Sequence, residues 1–206
     1  MLEFVLAEHF RLAGHAALLF AVGLFVSWPV VHYRLHAVAA LPLAVFRVVL
    51  RLMGPSPGIA RMTAVIFGFN GIAIFIYMAS GLHPLLPKLF AVWTGMNVGL
   101  VVGMGREEAL VEQARPRAGQ WVPAARLTRL CGLLVLLLEM PSFWFSLAMG
   151  MSMGHAVRAG AAYADALGER AAAYAAIILP ALLASALAES VTVRGSGAAE
   201  GQEPLT

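Results

Sequence analysis

The chain has 206 residues, 61% of them hydrophobic and only 12% charged, with a mean hydropathy of +0.82. A soluble domain carries about 25% charged residues and a membrane span needs about 20 apolar ones, so this composition excludes a water-soluble globule and leaves no length for a soluble catalytic or nucleotide-binding domain. The formal charge of +3 is read as membrane orientation rather than nucleic-acid affinity, because basic residues beside apolar segments set which way a membrane helix faces.

The apolar runs are continuous and do not alternate with polar residues in stretches of about ten, so the spans are helices and not barrel strands. The fold class expected is all-α: a polytopic transmembrane bundle of six helices, one domain over residues 1–193. Residues 1–10 contain Glu3, Glu8 and His9 and lack a basic stretch followed by a small-residue cleavage site, so a removable signal peptide is not expected.

The first span covers residues 12–31, with Trp28 and Tyr33 as interfacial anchors near its exit. The second, 34–53, carries Arg47 and Arg51. An arginine at the centre of a span costs about 2.5–3.5 kcal/mol, so these must lie near one end, or residues 37–53 lie in the interface and five helices cross. Gly54-Pro55-Ser56-Pro57-Gly58 breaks the helix. Spans at 62–80 and 85–104 are joined by the tight Gly81-Leu82-His83-Pro84 turn. A polar connection, 105–126, precedes a span at 130–151. A semi-polar segment at 155–170, read as a short interfacial helix, leads to the last span at 171–189. Residues 194–206 read as a disordered tail.

Basic residues bear on orientation. With six spans, Arg11, Arg51, Arg61, Arg106, Arg115, Arg117, Arg126, Arg129 and Arg194 share the side of the N-terminus, against Arg34, Lys88, Arg158 and Arg170; both termini are then cytoplasmic. With five spans the N-terminus moves outside. The 105–126 loop is cytoplasmic either way. Six is preferred, because the break after the first span is short enough for a helical hairpin.

Helices in lipid associate by close backbone packing and interhelical hydrogen bonds. Gly95, Gly99 and Gly103 form one small-residue line, Ser146, Gly150 and Gly154 a second, and Ala176, Pro180, Ala184 and Ala188 a third. They serve packing within one subunit or between copies, which leaves a homo-oligomer open. Glu139 stands apart, because it lies deep in an apolar run where an ionised carboxylate is expensive and seeks a partner or a water-filled cavity. Ser142, Ser146, Gly150 and Gly154 fall near its face, and Pro141 frees the Leu137 carbonyl beside it. Asn70 and Asn97 lie mid-span on two other helices. The expected buried polar cluster is therefore Asn70, Asn97, Glu139, Ser142 and Ser146. It is read as structural glue, with proton or ion handling and partner docking as the alternatives.

Enzyme signatures fail one by one. His32 and His36 have metal-clip spacing but no third ligand, so they read as an interfacial polar pair. Glu107-Glu108 sit in a charged loop. Ser142 and Ser146 lack a nucleophile-elbow context, and no phosphate-binding glycine loop occurs. Cys131, the single cysteine, reads as a small buried apolar residue. No cofactor or metal is expected.

Phe69-Asn70 in one span, Asn97-Val98-Gly99 with Gly103 in the next, and Glu139-Met140-Pro141 followed by Gly150 to Gly154 together resemble the stage II sporulation protein M family of integral membrane proteins. The resemblance covers about half the chain. Gly71 stands where the family often has a second asparagine, and no His-Gly pair precedes Glu139. The resemblance implies a non-catalytic, multi-pass protein of a bacterial or archaeal cytoplasmic membrane that works with peptidoglycan-remodelling partners. The expected function is thus a membrane scaffold whose partners are the lipid bilayer and other envelope proteins. The rival is a transporter or permease-like subunit with a polar path at Glu139, Asn70 and Asn97.

Overall fold

Lipid offers no partner to a backbone N–H or C=O, so a long apolar run must satisfy those groups within itself, and the helix is its available form. In the computed structural model, which describes residues 2–104, 106–117 and 119–200, every regular element is helical. The order is α1 (Leu2–His32), α2 (His36–Met53), α3 (Ile59–Ala79), a 3-10 turn (Ser80–Leu82), α4 (Leu86–Gly103), α5 (Arg106–Gln113), α6 (Ala125–Arg158), α7 (Tyr163–Ala173), a π turn (Tyr174–Ile178) and α8 (Leu179–Glu200). The breaks follow local chemistry. Arg34 adopts a left-handed φ of 51° between α1 and α2, and Gly54, at φ 68°, ends α2 ahead of Pro55. Pro87 sits in the first turn of α4, where its missing N–H is no loss.

Six helices are long and apolar enough to cross a membrane: His9–His32, His36–Met53, Ile59–Leu82, Leu86–Gly103, Ala125–Arg158 and Tyr163–Ala198. This is an all-α, multi-pass membrane bundle, and its long helices fall on the expected apolar segments, extended at several ends. α6 has 34 residues, about 51 Å at 1.5 Å per residue, against a hydrocarbon core of about 30 Å. Arg126 and Arg129 therefore clear one face, and His155 and Arg158 the other. The last span begins at Tyr163 and runs on through the π turn, so residues 163–170 belong to it. α8 continues to Glu200, which makes residues 194–200 helical where an irregular tail was expected; residues 201–206 lie outside the described part.

Helix direction follows from the close approaches of glycines. A Cβ on Gly95 would collide with the Phe20 carbonyl and one on Gly99 with the Ser27 hydroxyl, while one on Gly103 would sit 3.1 Å from Val31. The partners rise together along the two chains, so α1 and α4 run parallel. At the start of α1, Arg11 and His15 share a pocket with Pro84 and Lys88 from the α3–α4 connection and with His155 and Arg158 from the end of α6. α1 thus starts at the end of the bundle that holds the α3–α4 turn and finishes at the opposite end, which holds α5.

α2 therefore begins at the α5 end, and it also finishes there. The Gln113 side chain, at the end of α5, donates hydrogen bonds of 2.6 and 2.7 Å to the Leu50 and Gly54 carbonyls, and Ala109 of α5 shares a pocket with Leu43, Phe46 and Arg47. All six long helices are present, but five thread the bundle and α2 lies across one end, the arrangement considered for residues 37–53. The reason is packing: Ala39 is buried in one cluster with Val30, Met96 and Leu100, and Met53 in another with Met62, Ile66 and Ala114. Both clusters belong to the α5 end. Arg47 and Arg51 stay on the exposed face of α2. In consequence Arg11 and Arg194 lie at opposite ends of the bundle, whereas six crossings would have put them together.

The half of the bundle towards the α3–α4 turn is solid. Ile74, Met78, Ala91, Leu147 and Leu182 are all buried there in one continuous cluster.

Candidate functional site

Four polar side chains from four helices meet in the other half. Asn70 on α3 donates from Nδ2 to Oε1 of Glu139 on α6 at 2.9 Å. These two, with Asn97 of α4 and Glu189 of α8, line a cavity of about 250 Å³, roofed by Pro42, Val45, Phe46 and Val49 of α2. The Oδ1 atom of Asn97 is buried without a hydrogen-bond partner among the described residues. A buried carboxamide oxygen without a partner costs about 1–3 kcal/mol. It is an acceptor waiting for a donor or a cation.

Glu189 is the residue that the sequence reading missed. It was assigned to the end of the last span because the following residues, GSGAAEGQEPLT, read as a solvated tail. In the fold the helix runs on for roughly three more turns, since Gly195 packs against Thr128, Gly197 against Val111 and Arg115, and the buried Arg194 guanidinium donates to the Pro57 carbonyl. Glu189 is thereby drawn into the wall of the same cavity that Glu139 lines. The one signal in the sequence was the helical spacing of Ala186, Ser190, Val193 and Gly197, all buried in the fold, which a glycine-rich ending disguised.

The cavity closes towards the α3–α4 turn. The Thr94 hydroxyl donates to the Tyr77 hydroxyl oxygen at 2.8 Å, and the Tyr174 hydroxyl donates to the Gly71 carbonyl at 2.6 Å. Tyr174 opens the π turn; such turns widen a helix locally and are frequent at functional sites. Beyond these tyrosines lies the apolar cluster of Ile74, Met78 and Leu147. The polar groups face the α5 end, behind α2.

Of the expected cluster, Asn70, Asn97 and Glu139 come together, and Ser142 and Ser146 do not. Ser142 donates to the Leu138 carbonyl of its own helix at 2.6 Å, and Ser146 is buried beside the apolar cluster with no partner for its hydroxyl among the described residues. Both are turned towards the core rather than the cavity. Pro141 lies inside the continuous α6.

Two of the three small-residue lines are consumed inside the chain. Gly95, Gly99 and Gly103 take α1, while a Cβ on Gly150 would lie 2.5 Å from the Tyr77 carbonyl and one on Gly154 2.9 Å from that of Gly81. The third line behaves differently: Ala176, Pro180 and Ala184 are exposed and only Ala188 is buried. Cys131 is a free, buried thiol. His32 stacks on Trp28 with ring centroids 5.2 Å apart. Glu108 is exposed; the side chain of Glu107 lies outside the described part. Among the described residues no group of three His, Cys, Asp or Glu side chains is placed to hold a metal ion.

No family model, no curated protein and no solved structure matches the chain.

Chemically, the cavity offers carboxyl and carboxamide oxygens in a setting of low dielectric. Two ionised carboxylates there repel each other strongly and have lost most of their hydration. At least one of them must carry a proton, or the pair must share a cation. Hard oxygen donors of this type suit protons and alkali or alkaline-earth ions.

Proposed function

We propose that the protein is a transporter or permease-like membrane subunit that handles a proton or a small monovalent cation at Glu139, Glu189, Asn70 and Asn97. The observation that carries this reading is the convergence of two carboxyls and an unpartnered Asn97 oxygen on one cavity of about 250 Å³. A pair of glutamates is a costly form of glue, because an apolar pair of the same volume would hold the helices without burying charge. A site that takes up and releases a cation needs that poise. The scaffold alternative, which the family resemblance implies, keeps the basic loop as a docking surface but loses the two glycine lines, which are occupied within the chain.

The membrane is a bacterial or archaeal cytoplasmic membrane on the resemblance to the sporulation protein M family, whose quoted residues include Asn70, Asn97 and Glu139 themselves. The α5 end, with Arg34, Arg47, Arg51 and Arg61 beside the arginines of the 105–126 loop and Arg129 at the start of α6, faces the cytoplasm by the positive-inside rule. The cavity then takes its cation from the cytoplasmic side, past α2, and the start of α1 is outside.

The test is flux through the full chain reconstituted in liposomes, under an imposed proton or sodium gradient, for the native protein and for Glu139→Gln and Glu189→Gln. The reading expects a cation-dependent flux that falls at least tenfold in either variant while the fold is kept. Folded variants that conduct as the native chain does, or a native chain inert to both gradients, would return the protein to the scaffold class.

A further inference from the structure

At the opposite end of the bundle a second pocket, of about 300 Å³, is lined by Arg11 and His15 of α1, Lys88 of α4, and His155 and Arg158 of α6. We infer that this pocket is a binding site for a phosphate-bearing anion, either the headgroup of an anionic phospholipid or a soluble phosphate. The inference is independent of the cation cavity.

Three observations carry it. The first is convergence. With five threading helices, this end holds four arginine and lysine residues, Arg11, Lys88, Arg158 and Arg170, and three of the four line the one pocket. The fourth, Arg170, is engaged elsewhere, donating to the Ser152 hydroxyl at 2.7 Å and to the Ala166 carbonyl at 2.8 Å. Like charges gathered from three helices repel one another unless an anion joins them.

The second is that helix stability does not account for Lys88. It occupies the first turn of α4, where the helix dipole disfavours a cation. That same dipole favours an anion at this position. Arg158, in the last turn of α6, does suit its own dipole, so the argument rests most heavily on Lys88 and Arg11.

The third is the character of the walls. Leu12, Pro84 and Met151 supply an apolar side to the pocket, and among the described residues no acidic side chain lines it. Arg11, Lys88 and Arg158 are exposed, so the anion can enter from the surface. Guanidinium groups bind phosphate oxygens in bidentate fashion, and lysine binds them as a point charge. The volume is at the lower end of the range for small-molecule sites and holds a phosphate with a short ester arm.

The experiment uses the full chain in an uncharged detergent. Inorganic phosphate is titrated by calorimetry, and retention of phosphatidylglycerol against phosphatidylcholine is counted by native mass spectrometry. The double variant Arg11→Gln/Lys88→Gln, the single Arg158→Gln, and Arg117→Gln at the α5 end as control are measured alongside, each checked for an unchanged melting temperature. The expected result is one phosphate or one phosphatidylglycerol per chain, weakened about tenfold or more by either pocket variant and unchanged by the control. Retention of phosphatidylglycerol without a response to phosphate identifies a lipid headgroup, and the reverse identifies a soluble anion. Binding of neither, or equal binding by the native chain and both pocket variants, overturns the proposal.

Discussion

Gly95 to alanine is the smallest change that interrogates the α1–α4 seam. The added Cβ would fall within bonding range of the Phe20 carbonyl, which belongs to backbone and cannot swing aside. The two helices must separate, and the neighbouring contacts at Gly23, Gly99 and Gly103 separate with them. Overpacking of this kind costs about 1–3 kcal/mol. Gly68, on α3, is the matched control: nothing lies within 4 Å of its Cβ position. Alanine there relieves the helix of a glycine and stabilises it by about 0.5–1 kcal/mol. The same chemical substitution therefore has opposite signs at two positions, and the two variants differ by about 1.5–4 kcal/mol. Cys131, buried and free, supplies the assay, since a thiol-reactive dye labels it only as the bundle opens. Melting in detergent followed by that labelling should come earlier for Gly95→Ala and later for Gly68→Ala than for the native chain. Equal shifts at both positions would refute the parallel packing of α1 on α4.

The path of α2 makes a sharper distinction still. With Cys131 replaced by alanine, an impermeant thiol reagent should reach Arg11→Cys and His83→Cys from one side of the membrane and Arg34→Cys and Arg117→Cys from the other; pairing of Arg11 with Arg117 would mean that α2 crosses. Gln113→Ala removes both hydrogen bonds that tie α5 to the end of α2, at a cost of about 1–3 kcal/mol. Limited proteolysis should then cut residues 114–124 several-fold faster, and an unchanged rate would show that the tie does not hold the loop. Tyr174→Phe removes the hydrogen bond to the Gly71 carbonyl and should destabilise by about 1 kcal/mol, read by the same Cys131 labelling; a variant as stable as the native chain would place no weight on that bond.

The helices were legible because hydropathy over about 20 residues reports directly on lipid burial, and the Asn70–Glu139 pair was legible because polar groups in mid-span must find one another. Two features were not. The basic residues satisfied five crossings and six equally, so the path of α2 depended on where Ala39 and Met53 are buried, which is a property of neighbours distant in sequence. Glu189 was hidden by its context. A polar, glycine-rich ending argues locally for a loop, yet here glycines at 195 and 197 allow α8 to approach Thr128 and Val111 closely. Tertiary packing extended the helix and carried a carboxyl inward. Ser142 and Ser146 erred the other way, since sharing a helical face with Glu139 over several turns did not bring them to the cavity wall.

The central claim is that Glu139 and Glu189 exchange a cation at their shared cavity. Infrared difference spectroscopy of the full chain in lipid, recorded at fixed pH as sodium is added, reads those carboxyls directly. The account predicts that a carboxyl band changes with the cation and that the change is absent in Glu139→Gln/Glu189→Gln. If sodium leaves the native spectrum untouched, and a step in pH produces the same carboxyl changes in the native chain and in the double variant, the cavity handles no cation and the account is contradicted.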